Sequence, residues 1–108
     1  MYHKQKFLNG LGLMKRAGVL VYGDDLLPSI TKRTVACVVI ASDASERTKK
    51  QLLDKCTTYK IDAIVFPTRD ELSQAIGMNN RVAVGISDRR MVKVLKNCKI
   101  EEVNDSYE

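Results

Sequence analysis

The 108-residue sequence is poor in the residues that most catalytic sites require. Its single histidine, His3, lies near the start of the chain, where fraying is common, so the body of the fold holds no Ser-His-Asp or Cys-His pair. The longest apolar run, residues 35–41, is too short to cross a membrane, and the first residues lack the apolar core of a signal peptide. We therefore expect a noncatalytic, soluble, cytoplasmic protein with no membrane partner.

Cysteine is also scarce. The three cysteines are an odd number with wide spacing, which fits neither a disulfide framework nor a Cys-x-x-Cys zinc site. Cys37 falls in a predicted strand and Cys56 on the apolar side of a predicted helix, where reduced cysteine serves as a small hydrophobic residue. We expect both thiols to be buried and no metal to be bound.

No cofactor motif is complete. The sequence has no Walker lysine motif, and the segment Gly10-Leu-Gly12 lacks the third glycine of a dinucleotide fingerprint. This segment also lies inside a helical pattern and not between a strand and a helix. We interpret its glycines as helix-packing positions and expect no cofactor.

Charge is unevenly distributed along the chain. The net charge is +5, but residues 101–108 hold four acids and no base, so residues 1–100 carry 18 bases, nine acids and a net charge of +9. A basic body attracts polyanions through phosphate contacts and counterion release, while a merely solvated surface is the alternative explanation. Residues 101–108 are predicted to form a flexible acidic tail.

Hydrophobic spacing predicts a helix followed by four repeats of strand and helix. The run Ala36–Ala41 is apolar at both its odd and its even positions, which is typical of a strand covered on both faces. Alternating strands and helices favour the α/β class, here a three-layer α/β/α sandwich on a four-stranded mixed sheet. The length and the 44% hydrophobic content allow one core, so residues 1–100 are expected to form one domain.

Helix starts are predicted from capping residues. Pro28 is tolerated only in a first turn, so the second helix should be capped by the side chain of Asp24 or Asp25. Capping boxes are predicted for Asp43 with Glu46 and for Thr68 with Glu71, and Asp88 should begin the last helix.

These segments predict one anion-facing edge. The Gly23 turn and the Asp43 helix start place two helix N-termini near one edge of the sheet, and such termini attract anions. The polar loop Met78–Arg81 follows the helix-ending Gly77, and we expect Arg81 to be exposed and free to pair with phosphate. Lys32 and Arg33 either join this surface or complete the charge at the end of the second helix.

Several short motifs occur together along the chain. They are Leu11-Gly-Leu-Met-Lys-Arg-Ala-Gly18, Gly23, the run Val38–Ser45, Asp54-Lys-Cys56, Ala75-Ile-Gly77 and Arg81-Val-Ala-Val84. Together they resemble the kink-turn RNA-binding ribosomal protein family, and most closely its bacterial YlxQ-like branch. The resemblance covers the chain to about residue 96 and implies the same sandwich fold and an RNA partner.

In that family the second helix begins Gly-x-Asn-Glu-x-x-Lys, and its polar residues contact the sheared G·A pairs and the backbone of the kink. Counted from Gly23, these positions hold Asp25, Leu26 and Ser29, none of which matches. A register shifted by one residue places Asp24 and Asp25 on the Asn and Glu positions and Pro28 on the lysine position. The resemblance therefore supports the RNA-binding fold strongly and the specific kink-turn contact weakly, and it leaves a kink-turn or another structured RNA as the expected partner.

The first hypothesis is a small noncatalytic RNA-binding protein, monomeric and associated with ribosomes, ribosomal RNA or another structured RNA. The alternative is a protein-interaction module for a ribosome-maturation or translation factor, and a third is an enzyme using Asp24, Asp25 and Asp43 as carboxylates. The predicted RNA-contacting residues are Gly23, Asp24, Asp25, Ser29, Lys32, Arg33, Asp43, Ala44, Met78, Asn79, Asn80 and Arg81.

Overall fold

The computed structural model describes residues 2–98, so the predicted acidic tail lies outside the described part of the chain. Five helices and four strands alternate there as the hydrophobic spacing predicts. In chain order they are α1 (Lys4–Arg16), β1 (Leu20–Val21), a 3₁₀ turn (Gly23–Asp25), α2 (Leu26–Thr31), β2 (Cys37–Ile40), α3 (Glu46–Thr58), β3 (Asp62–Val65), α4 (Arg69–Ala75), β4 (Ala83–Ile86) and α5 (Arg89–Lys96).

The four strands form one mixed sheet in the order β1-β4-β2-β3. Strand β2 pairs parallel with β3, whereas β4 runs antiparallel to both β1 and β2. Ile40 pairs with Ala83 on one side and with Val65 on the other, so β2 and β3 end where β4 begins. We call the end of the sheet where Ile40, Val65 and Ala83 lie the Ile40 end. The opposite end, where Cys37 pairs with Ile86, is the Cys37 end.

The helices cover the sheet in two groups, which confirms the predicted three-layer α/β/α class. Helix α1 contacts α4 and α5, while α2 contacts α3. A Cβ atom at Gly10 would lie 3.2 Å from Leu95 of α5, and one at Gly12 would lie 3.2 Å from the carbonyl oxygen of Ala75 in α4. The two glycines thus allow close helix packing, as the sequence pattern indicates.

The core lies around the two inner strands, β2 and β4, all of whose residues are buried. Helices α3 and α5 pack their apolar faces against this core, where Leu52, Val92 and Leu95 are buried. Cys37 and Cys56 are free and buried, and burial, with Asp62 nearby, raises the pKa of the Cys37 thiol to about 12. Both cysteines therefore serve as neutral, small hydrophobic residues.

Two of the predicted helix caps are wrong. No side chain caps α2, because the chain enters it through the 3₁₀ turn, which leaves the Asp24 and Asp25 carboxylates exposed. The cap of α3 is Ser45 and not Asp43, since the Ser45 hydroxyl accepts a hydrogen bond from the Thr48 amide at 3.1 Å.

The other two caps are confirmed. Thr68 and Glu71 form a complete capping box at the start of α4, and the Asp88 carboxylate accepts a hydrogen bond from the Arg90 amide at 2.8 Å. Within residues 2–98, no helix has the length and apolar character needed to cross a membrane.

Candidate functional site

Three chain segments that are distant in sequence meet at the Ile40 end of the sheet. They are the 3₁₀ turn with the start of α2, the first turns of α3, and the loop that leads into β4. They enclose a shallow cavity of about 220 Å³, lined by Gly23, Leu26, Leu27, Thr48, Gln51, Leu52, Asn80, Arg81, Val82 and Ala83. The prediction that α2 and α3 begin close to each other is therefore confirmed.

Arg81 is held firmly inside this arrangement. Its guanidinium carbon lies 5.2 Å from the centre of the Tyr22 ring, a cation–π distance. The Ser73 hydroxyl accepts a hydrogen bond from the Arg81 amide at 2.8 Å and lies 3.2 Å from the Arg81 carbonyl oxygen, to which it donates. The expectation that Arg81 is exposed is wrong, because Arg81 is half-buried against Tyr22.

Gly23 is needed where the chain passes Arg81. Its φ of 67° lies in the left-handed region that favours glycine. A Cβ atom at this position would lie 3.4 Å from Nη1 of Arg81. The turn and the guanidinium thus pack against each other, and a side chain at position 23 would crowd the arginine.

The Arg81 guanidinium retains unused donors. Its Nε atom is buried and has no hydrogen-bond partner, and no ion pair among residues 2–98 includes Arg81. A planar guanidinium presents donors that match the oxygens of phosphate or a base edge. Arg81 is therefore a cation that is held in place beside the cavity and forms no ion pair with the described residues.

The loop residues beside Arg81 are polar and accessible. Asn79 and Asn80 are exposed and Met78 is half-buried. Asn80 has a φ of 55°, a conformation that asparagine tolerates better than most residues. The structure thus places Asn80 and Arg81 beside the Gly23 turn, whereas Met78 and Asn79 line a neighbouring cavity with residues of α4.

Asp43 and Ala44 also lie at this end, but their side chains are already engaged. The Asp43 carboxylate accepts a hydrogen bond from the Arg69 amide at 2.7 Å, which joins the loop before α3 to the start of α4. Ala44 is 7% exposed and packs into the core. Only backbone atoms of Ala44 could reach a ligand.

The side chains around the 3₁₀ turn decide between the two motif registers. Leu26 is 6% exposed and belongs to the core, so it cannot stand in for a ligand-contacting glutamate. Asp24 and Asp25 are exposed, and Ser29 is half-buried. Exposure therefore favours the shifted register, in which Asp24 and Asp25 occupy the Asn and Glu positions.

Lys32 and Arg33 are separated from this site. Both are exposed and follow the last turn of α2, at the Cys37 end of the sheet. Arg33 lines a different cavity together with Ala36, Ile61 and Arg89. The structure does not bring these two residues to the surface that holds Gly23 and Arg81.

Tyr22 and Ser73, the two residues that hold Arg81, are not among the residues predicted from the sequence. Tyr22 fits the end of a short strand, and Ser73 is a buried polar residue inside α4. An aromatic residue directly before the turn glycine is the available signal for Tyr22. Nothing in the local pattern marks Ser73, because its partner lies eight residues further along the chain.

The fold and this end of the sheet define a class of small three-layer α/β domains with a polar loop surface around a stacked arginine. The model of the ribosomal protein L7Ae/L30e/S12e/Gadd45 family matches residues 5–96. The chain belongs to this family and is a YlxQ-like member of it, which confirms the resemblance carried by the sequence motifs.

Two relatives carry the name RNA-binding protein YlxQ. The protein from Enterococcus faecium is 36% identical over 95 residues, which cover 87% of this chain and 91% of the relative. The protein from Bacillus subtilis (strain 168) is 36% identical over 80 residues, which cover 73% of this chain and 80% of the relative.

Solved structures share the fold. A protein of unknown function from Bacillus halodurans C is 36% identical, with a TM-score of 0.76 over 84% of this chain and 97% of that one. A 15.5kD RNA binding protein of Giardia lamblia has a TM-score of 0.72 over 87% of this chain and 85% of its own. Its identity is only 14%, so it supports the fold alone.

Proposed function

We propose that this chain is a noncatalytic RNA-binding protein that contacts structured RNA through the Ile40 end of its sheet. Ribosomal RNA and kink-turn RNA are the first candidates for the ligand. We further propose that residues 1–100 act as one monomeric domain. Two relatives that cover most of the chain are named as RNA-binding proteins, which supports the choice of ligand class.

The observation that carries the proposal is the position of Arg81. Its guanidinium stacks on Tyr22, and the Ser73 hydroxyl holds its main chain in place. None of the described carboxylates forms an ion pair with it. A preorganised arginine loses little side-chain entropy when it binds phosphate. The exposed amides of Asn79 and Asn80 add donors and acceptors able to read unpaired bases.

The acidic residues of the 3₁₀ turn set the expected specificity. The Asp24 and Asp25 carboxylates can accept hydrogen bonds from base edges, but their charge opposes nearby phosphate. Pro28 stands at the lysine position in the shifted register, so one phosphate-binding side chain of the family motif is missing. We therefore propose that the chain prefers a kink-turn over other structured RNA only weakly.

Helix N-termini contribute less than the sequence pattern predicts. The Ser45 hydroxyl already binds the Thr48 amide, and the Arg69 and Glu71 amides at the start of α4 bind Asp43 and Thr68. These amides are therefore not free for an anion, and α2, which lacks a side-chain cap, is only six residues long. We therefore assign the main attraction for RNA at this end to Arg81 and the loop before it.

The test is substitution of Arg81 with a control that removes the same charge elsewhere. Arg81→Gln should weaken binding to a kink-turn hairpin about tenfold, close to 1.4 kcal/mol, because the variant cannot form a charge-assisted bond to phosphate. Lys50→Gln, on the exposed side of α3, is the matched control and should change affinity much less. Affinity is measured by titration at fixed low salt, and thermal melting checks the fold.

Equal effects of Arg81→Gln and Lys50→Gln would contradict the proposed surface. Arg81→Lys separates charge from shape, because lysine keeps the charge but cannot stack or donate as a planar fork. We expect this variant to bind at an intermediate level. If no structured RNA binds the native chain, a protein partner becomes the better explanation of this surface.

A further inference from the structure

The Cys37 end of the sheet carries a second basic region. A cavity of about 510 Å³ opens there between the ends of α2 and α3 and the start of α5. All but one of the charged residues that line it are cations. The lining side chains that carry charge are Arg33, Lys60, Arg89, Lys93, Lys96 and Asp62.

Four of these cations form no ion pair with the described residues. Lys96 lies 2.6 Å from the carboxylate of Asp62, the one acid among the described lining residues. No ion pair formed within residues 2–98 includes Arg33, Lys60, Arg89 or Lys93, and all four side chains are exposed. The cavity therefore concentrates positive charge that the described protein does not neutralise.

Backbone conformation marks two of these positions as unusual. Helices α1 and α4 end with glycines in the left-handed region, Gly18 at φ 73° and Gly77 at φ 68°. Helices α2 and α3 end in the same conformation, but there the residues are Arg33 at φ 60° and Lys60 at φ 58°. Glycine is the unstrained choice for this position, so both helices accept a sterically less favourable residue.

The hydrogen bonding of all four helix ends is the same. After each helix the residue in the left-handed conformation and the next residue bond back to helix carbonyls, as Arg33 does to Ile30 and Thr34 does to Ser29. The geometry thus does not require a basic residue. What distinguishes the ends of α2 and α3 is that both side chains border one cavity.

We propose that the cavity at the Cys37 end is a second phosphate-binding surface, which binds the backbone of another segment of the same structured RNA. The proposal rests on the proposed function and extends it, because it makes the protein a bridge between two RNA segments at opposite ends of its sheet. Five of the ten residues that line the cavity are basic, and they come from three separate segments of the chain. Such an arrangement fits a chain of phosphates better than one small anion.

The test removes the charges of Arg33 and Lys60, the two basic residues in the left-handed region, and keeps their backbone conformation. Asparagine tolerates the left-handed region, so Arg33→Asn with Lys60→Asn removes two charges and keeps the helix ends. The matched control is Lys6→Gln with Lys50→Gln, which removes two charges from exposed positions on α1 and α3. The probe is an RNA hairpin with a stem of about 16 base pairs, long enough to present two successive grooves.

We expect the Arg33/Lys60 variant to bind this hairpin at least fivefold more weakly than the Lys6/Lys50 control at low salt. The slope of log affinity against log salt should also become shallower, by about 0.9 for each phosphate that the variant no longer neutralises. A fall in melting temperature with affinity and slope equal to those of the control would overturn the proposal. That outcome would mean that the two cations serve only the helix ends.

Amide NMR with the same hairpin separates this inference from the proposed function. Shifts at both ends of the sheet support both claims. Shifts confined to the Gly23 and Arg81 end overturn the second surface and leave the proposed function standing. Shifts confined to Arg33, Lys60 and Arg89 would show that this cavity binds RNA but would contradict both the proposed function and the bridge between two RNA segments. The absence of any binding contradicts both claims.

Discussion

At the scale of single residues, Arg81 and the loop before it depend on contacts from other elements of the fold. The placement of Met78–Arg81 after a helix-ending glycine is predictable from turn chemistry. The stacking of Arg81 on Tyr22 is not, because the two residues lie far apart in sequence and meet only when β1 pairs with β4. The partial burial of Arg81 is unpredictable for the same reason.

Leu26 gives a sharp test at this scale. Because it is 6% exposed in the core, Leu26→Glu should lower the free energy of unfolding by more than about 3 kcal/mol through burial of an unpaired charge. Asp25→Asn and Ser29→Lys, at more exposed neighbouring positions, should each change it by less than about 1 kcal/mol. Urea denaturation measures all three variants.

If Leu26→Glu proved as stable as Asp25→Asn, Leu26 would not be a core residue. The alignment of the family motif counted directly from Gly23 would then be favoured over the shifted one. Binding of the folded Asp25→Asn and Ser29→Lys variants would then need to be measured in that register.

At the scale of elements, helices and strands are predictable because their apolar periodicities are unambiguous, whereas caps depend on tertiary partners. The Thr68–Glu71 box is predictable because both residues act within one turn. Asp43 and Ser45 are both good capping residues, and the choice between them depends on the Arg69 amide, which attracts the Asp43 carboxylate from another element. No local pattern contains that information.

The capping box of α4 makes stability depend on pH. A hydrogen bond from Lys4 and then the bond from the Thr68 amide lower the pKa of Glu71 below its usual value. The stabilisation is therefore complete above the pKa of an unfolded glutamate, about 4.3, and disappears as pH falls through the lower folded value. We expect Glu71→Gln to remove this part of the acid sensitivity.

Melting temperatures of the native chain and of Glu71→Gln, recorded from pH 7 to pH 3, measure the effect. Glu46→Gln, at an exposed position that pairs only with Lys49, is the control and should follow the native curve. If Glu71→Gln lost no more stability than Glu46→Gln at pH 7 and kept the native acid sensitivity, the box would not contribute as described.

At the scale of the whole molecule, layers are predictable but strand order is not. The sequence of elements predicts helices on both faces of a sheet, yet placing β4 between β1 and β2 depends on long-range fits. One such fit is Gly85, where an added Cβ atom would lie within 3.0 Å of both Val35 and Leu26. Only the assembled fold shows that Lys32 and Arg33 lie away from Gly23 and Arg81.

The distribution of charge at this scale explains why net charge alone is an incomplete guide. Residues 1–100 carry +9, but Arg81 shares the Ile40 end with the exposed acids Asp24 and Asp25. The basic residues of the other cavity lie at the Cys37 end. Long-range attraction therefore favours any polyanion, while discrimination has to come from the few groups at the Ile40 end. We expect strong salt dependence together with modest specificity.

The most direct test of RNA binding and of its specificity is a salt titration of the native chain with three RNAs: a kink-turn hairpin, the same hairpin with its G·A pairs disrupted, and a plain duplex. We predict measurable binding at low salt, a steep fall in affinity with rising salt, and a preference for the kink-turn well below a hundredfold, or about 2.7 kcal/mol. No binding to any of the three would contradict RNA binding itself. A preference above a hundredfold would contradict the weak specificity inferred here and show that the acidic 3₁₀ turn recognises the kink directly.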